Sequence, residues 1–191
     1  MIRTFLLALL LVTVQIDPGY GEESVFMNKI PDDFAVPEPE NEYDKELIAQ
    51  IEQVGWYNVH VAEENGFPAY AFSIGHFFKQ NHPELIVVGL PPEVAHQLLN
   101  IAVVKIVGAK EEIEPYKKYD DFTENLTVAF VPVSLEYYGE YLGYANWYYG
   151  ALPKPYPAMQ MVWPDREGKY PWEQGYDKRF LQLQPILAPM P

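Results

Sequence analysis

The chain has 191 residues, 13 Lys and Arg against 27 Asp and Glu, a net charge of −14 and no cysteine. That length suits one domain whose core can hold without disulfides, and the missing thiols exclude cysteine nucleophiles, redox pairs and cysteine-ligated metals. With Arg3, Arg166 and Arg179 its only arginines, it lacks the basic footprint of a nucleic-acid binder, so any charged partner is expected to be cationic.

Arg3 precedes an apolar run from Phe5 to Val14. As a helix this run covers ~15 Å of a ~30 Å hydrocarbon core, which suits a secretory signal better than a membrane span. Gly19 and Gly21 place cleavage after Gly21. Residues 1–21 are therefore expected to be a signal peptide, leaving a secreted or periplasmic chain with no stable membrane anchor. Residues 22–42 scatter Pro31, Pro37 and Pro39 among acids and predict an extended, acidic, proline-rich arm.

The domain is expected over 43–191. Tyr43, Leu47, Ile48, Ile51 and Val54 recur at helical spacing, and Gly55 is placed to stop that helix. Trp56 to Val61 and Ala69 to Ile74 predict a hairpin around Asn65-Gly66. Gly75 to Pro83 reads as a loop and Glu84 to Gly89 as a central strand. Pro91-Pro92 opens a helix with Val94, Leu98, Ile101 and Ala102 facing the core, and Gly108 closes it. Residues 109–125 read as a charged connection and Leu126 to Val133 as a strand. Ser134 caps a tyrosine-rich helix running to about Tyr149, weakened by Gly139 and Gly143. Ala158 to Trp163 and Phe180 to Leu187 are further strand candidates. The sum is a single α+β domain, a mostly antiparallel sheet packed with two or three helices.

The stretches VGWYNVHV, YAFSIGHF, HPELIVVGL, LLN, YLGYANWYYG, MQMVWPDREGKYPW and LQPIL occur in that order. Together, from about Tyr43 to Leu187, they resemble the bacterial DUF4262 domain family, whose function is unassigned. The FSIG and PELIVVGLP portion is also similar to Suppressor-of-fused-type domains, some of which serve as bacterial immunity proteins. That likeness implies binding to a partner rather than turnover of a substrate. The apparent signal and arm depart from a simple cytoplasmic member of the family.

The residues bring four chemistries into question. Ser73 in AFSIG matches a variant nucleophile elbow, but the loop expected after Gly75 does not supply the strand-to-helix turn such an elbow needs. His76, His82 and Glu84 are metal-ligand types, and a zinc hydrolase needs about three such ligands plus water. They define the alternative of an envelope metal-dependent hydrolase. Glu84 and Asp165 would cleave glycosides only if their carboxyls stood ~5 or ~6.5–9.5 Å apart. The absence of G-x-G-x-x-G and P-loop patterns leaves no cofactor expected.

Binding fits the composition better. Tyr137, Tyr141, Tyr144 and Tyr148 fall on one helical stripe, which suits a core face, a protein interface or the sugar platform of a glycan-binding module. Met159, Met161 and Trp163 lead into Pro164-Asp165-Arg166-Glu167-Gly168, which predicts a hairpin tip. A polar-lined aromatic pocket there would draw on Gln160 and Asp165. The expectation is a non-catalytic binding protein, of immunity or inhibitor type, for a protein partner or small ligand. His82, Glu84, Gln160, Trp163, Asp165 and Trp172 are the residues expected to contact it, and no catalytic residue is assigned.

Overall fold

The computed structural model describes residues 26–110, 112–123 and 126–190; the expected signal peptide lies outside them. Asn41 starts helix α1 (Glu42–Val54) by accepting the Asp44 N–H at 3.0 Å, one of the donors a helix start leaves without a partner. The helix turns Leu47 and Ile51 inward and stops at Gly55, whose φ of 101° lets its N–H reach the Ile51 carbonyl at 2.9 Å. Strands β1 (Tyr57–Val61) and β2 (Tyr70–Ile74) then pair antiparallel, Val59 opposite Phe72. Their connection tightens at Asn65-Gly66, where φ values of 51° and 85° make the type I′ turn expected of that dipeptide.

Helix α2 (His76–Gln80) leads to β3 (Glu84–Val88), and helix α3 (Pro92–Ala102) continues as a π turn, Val103–Val107. Strands β4 (Lys118–Thr123) and β5 (Leu126–Pro132) precede a short 3-10 turn and helices α4 (Tyr138–Tyr141) and α5 (Gly143–Tyr148). Strand β6 (Ala158–Val162) and a 3-10 turn, Lys178–Gln182, follow. The sheet order is β1-β2-β3-β6-β5-β4. Only β3 and β6 run parallel, so the last strand is inserted between the two halves of the sheet.

This is an α+β domain with a mostly antiparallel sheet, and among the described residues it has two long and three short α-helices. Both central strands, β3 and β6, are buried throughout, as strands covered on two faces must be. Along β3 the side chains alternate, Leu85 and Val87 facing α3, Ile86 and Val88 facing α1 and the tyrosine helices. On the face away from α3, Ala129, Val131 and Val162 are covered by Tyr170 and Ala188.

The structure corrects several local expectations. The loop after Gly75 contains α2. The charged connection contains β4, an edge strand whose polar residues suit an exposed rim. The tyrosine-rich helix is broken at Leu142, with Gly143 opening the second piece. The PDREG turn forms, with Gly168 N–H on the Asp165 carbonyl at 3.0 Å. No returning strand pairs there, because β3 and β5 already occupy both edges of β6. Residues 180–187 form no strand; they run from the 3-10 turn into an extended strap. The described part of the arm lies on the core, where Phe26, Met27, Ile30, Phe34 and Val36 pack. Phe34 meets Phe78 edge-on at 5.3 Å.

Candidate functional site

Glu84 opens a fully apolar strand and is itself wholly buried. A carboxylate there must be supplied with donors, and four reach it. Ser73 Oγ donates to Oε2 at 2.6 Å. On Oε1 converge the Gly75 N–H at 2.9 Å, the Phe77 N–H at 3.0 Å and the Tyr149 hydroxyl at 2.5 Å. Ser73 Oγ in turn accepts the Leu85 N–H at 2.8 Å, and the Tyr149 oxygen accepts the Gly75 N–H at 3.1 Å. Burial first, then the Glu84 charge, push the Tyr149 hydroxyl well above the usual tyrosine pKa, so it stays a donor. Gly75 is obligatory at this corner. Its φ is +114°, and a Cβ would meet the Gly55 carbonyl oxygen at 2.7 Å. Glu84 therefore clamps the β2–α2 corner to β3 and α5. A helix does follow Gly75, but the Ser73 hydroxyl is buried and committed to this network, not presented at a surface.

His76 is fully buried beside this clamp, its ring tilted by 36° to that of Trp56 with centroids 5.9 Å apart, and neither ring nitrogen has a hydrogen-bond partner. Burial, the largest influence, holds its pKa below the usual value against the pull of Glu84. His82 Nδ1 stands 3.0 Å from the Pro83 carbonyl, which only accepts, so Nδ1 carries the proton. With all four Glu84 contacts taken up internally, His76, His82 and Glu84 do not assemble as ligands. Among the described residues no group of three His, Cys, Asp or Glu side chains is gathered for a metal. His82 lines a cleft of about 700 Å³ between α2, Phe26–Asn28, Lys110, Glu112 and Ile113.

Trp163 and Asp165 sit past the far end of the parallel pair, and Gln160 within it, opposite Ile86. Glu84 is level with Ala158 in the register. Trp163 lies five residues further along, ~16 Å at strand rise, so Glu84 and Asp165 are not a carboxylate pair. Trp163 Nε1 donates to the Val88 carbonyl at 2.9 Å. The buried Gln184 amide bonds both the N–H and the carbonyl of Trp163, each at 2.9 Å. Gln160 repeats the device, accepting the Leu187 N–H at 2.7 Å and donating to the Pro185 carbonyl at 2.8 Å. Two glutamines thus hold the strap beside β6. Asp165 accepts the N–H groups of Glu167, Lys169 and Asp177, each at 2.9 Å. The Asp177 N–H, then those of Lys169 and Glu167, hold its carboxyl below the usual range against the opposing effect of burial. Trp172 stacks on Tyr170 at 5.2 Å and meets Tyr116 edge-on. Gln160 lies two residues along from Glu84 and on the same face of the sheet, whereas Trp163 faces the opposite side and Asp165 follows it beyond the end of β6.

A site that no sequence spacing marked lies between the β1–β2 turn and α4. Val61, Glu64, Phe67, Tyr70, Glu140 and Tyr141 line a groove of about 250 Å³. Phe67 is 48% exposed there, and the Tyr70 and Tyr141 rings are 5.2 Å apart. Burial, followed by the Glu140 carboxylate, raises the pKa of both tyrosines. The groove thus combines aromatic faces with two carboxylates, Glu64 and Glu140.

An inserted parallel strand, a buried carboxylate clamp and a glutamine-held strap define a single α+β domain. The model of the domain of unknown function DUF4262 matches residues 50–177, and the chain belongs to that family. No curated protein and no solved structure matches it.

Proposed function

We propose that this protein is an exported, non-catalytic binding module that takes a cationic segment of a protein partner into the groove between the β1–β2 turn and α4. The observation carrying the proposal is the pairing of Phe67, Tyr70 and Tyr141 with Glu64 and Glu140 in one concavity. Aromatic faces attract ammonium and guanidinium groups, and flanking carboxylates add salt-sensitive attraction. The net charge of −14 supports the same sign of partner through long-range steering. The apolar run at Phe5 to Val14 supports export, and an inhibitor or immunity protein for a basic exported toxin is the concrete form of this reading. Titration of Lys- and Arg-containing hexapeptides, followed by backbone NMR shifts, tests it. Saturable shifts confined to residues 61–70 and 137–144 are expected, weakening as salt rises and lost in the Phe67→Ala/Glu140→Gln double variant. Shifts spread over the whole acidic surface, or unchanged in that variant, would refute it.

A further inference from the structure

Strand β1 is an edge of the sheet, with β2 its one neighbour. The register decides which of its backbone groups face outward. The Gly89 N–H meets the Ala69 carbonyl at 2.7 Å, so these two residues, one step beyond Tyr70 and Val88, are a bonded pair of the antiparallel β2–β3 ladder. Bonded pairs alternate along such a ladder. Ala71 and Ser73 therefore also face β3, and Tyr70, Phe72 and Ile74 turn their N–H and C=O to β1, where they meet Val61, Val59 and Tyr57. Asn58 and His60 are left facing away from the sheet. Among the described residues no backbone group of Tyr57–Val61 bonds to anything but β2. We propose that an extended basic segment of the partner adds to β1 as a further, antiparallel strand, held by the backbone of Asn58 and His60. The proposal rests on the cationic reading of the groove and names the form in which that segment is bound.

Residues opposite one another in neighbouring strands share a face of the sheet. A partner residue opposite Val61 lies on the side of Tyr70 and Tyr141, at the groove with Glu64 and Glu140. The next residue, opposite His60, lies on the side of α3, where His60, Glu93 and His96 line a pocket of about 420 Å³. The edge thus runs between two pockets on opposite faces. A strand, whose side chains alternate, fills both with successive residues. Both pockets carry carboxylates, and among the described residues Glu64, Glu93 and Glu140 form no ion pair. Two successive basic side chains are their complement.

The opposite edge of the sheet is guarded against such pairing. Strand β4 shifts register between Tyr119 and Thr123, and its Lys118 is paired with Glu173 at 2.8 Å. Bulges and edge lysines are the usual means of blocking an added strand. Strand β1 pairs through five residues without a break and contains neither lysine nor proline. The net charge of −14 opposes a second copy of the chain at this edge and favours a basic segment.

The test titrates the full chain with a capped decapeptide and follows amide exchange by NMR. The peptide carries Lys and Arg at its second and third positions, with Thr and Val alternating after them. A hexapeptide fills the groove; the longer tail should also slow exchange at Asn58 and His60, by ~3–10-fold for one net hydrogen bond each, and leave Val59 unchanged. Backbone N-methylation of the peptide reads the phase without touching the protein. Methyl groups on its third and fifth residues, opposite His60 and Asn58, should weaken binding ~10-fold or more, and on its fourth and sixth residues they should not. Binding confined to the groove, with Asn58 and His60 exchanging as before or both methylated peptides equal, would overturn the added strand and leave the groove reading standing. Protection of the two amides that survives Phe67→Ala/Glu140→Gln would support the strand and remove the groove reading. Slow exchange at both amides before peptide is added would mean that this chain or a second copy already covers the edge, and would overturn the proposal. No saturable binding would overturn both.

Discussion

Glu84→Gln is the most informative single change to the core. It keeps the shape of the side chain and removes the charge. The amide oxygen can still face Gly75 N–H, Phe77 N–H and the Tyr149 hydroxyl, the three donors on Oε1. Those bonds fall from charge-assisted to neutral, a difference of ~1 kcal/mol each. The amide nitrogen then faces Ser73 Oγ, which now donates to Oε2 and also accepts from Leu85. The serine must turn its proton away, into a region where its former acceptor has become a donor. Opposing this, a neutral group avoids the penalty of holding a charge out of water. Four donors at 2.5–3.0 Å are aimed at the carboxylate, so lost hydrogen bonding should dominate. The expected destabilisation is ~3 kcal/mol, and at ~2–4 °C per kcal/mol for a domain of this size Tm falls by ~6–12 °C. Urea unfolding at pH 7, monitored by tryptophan fluorescence, measures it. Tyr149→Phe removes one of the same donors, so its effect should be non-additive with Glu84→Gln. A Glu84→Gln variant as stable as the parent, or more so, would mean that desolvation controls this site and that the clamp is misread.

Gly89 takes a φ of +80°, and a Cβ there would come within 2.0 Å of the Leu183 carbonyl oxygen. Gly89→Ala should therefore lose ~3 kcal/mol or more in chemical unfolding, whereas Gly66→Ala, at φ +85° in open space, should lose only the ~1–2 kcal/mol of the left-handed backbone. Equal effects at the two positions would show that the strap does not press on β3. His76 titrates below its usual 6.5 because it is buried. Below pH 6.5 the unfolded chain takes up a proton that the folded imidazole refuses, so stability falls with falling pH until the folded pKa is passed. His76→Phe should remove up to ~1.4 kcal/mol per pH unit of that slope; parallel stability curves for the two proteins between pH 5 and 6.5 would exclude it.

Much of the fold was legible because its signals are local. Asn41, Gly55, Asn65-Gly66 and Pro92 each dictate a backbone conformation through their own chemistry. The alternation in β3 and β6 was weaker evidence, since strands buried on both faces lose the polar half of the pattern. Residues 118–123 escaped notice because an edge strand is allowed its charges. Residues 180–187 read as a strand from their apolar positions, but the Gln160 side chain and the Ser134 N–H, not a neighbouring strand, take up the Pro185 and Leu187 backbone groups. The types of the candidate residues point to ligand contacts, and nothing in their spacing marks them as buried. Sequence alone does not reveal that a carboxylate such as Glu84 already has four internal donors. The groove depends on contacts between residues up to about 80 positions apart, which no spacing rule reaches. The family match ends at 177, yet Gln184 and Leu187 complete the core; the physical unit is larger than the matched stretch.

The strap also governs the order in which the molecule can be made. Leu187 is fully buried in the same cluster as Leu47 and Ile51 from α1, and β6 is the strand that unites the two halves of the sheet. A chain emerging from the ribosome can form the β1–β2–β3 meander early, but its core stays open until the residues beyond 184 have cleared the exit tunnel. Closure of the core is thus the last step of folding, and it waits on residues that follow the sheet's final strand.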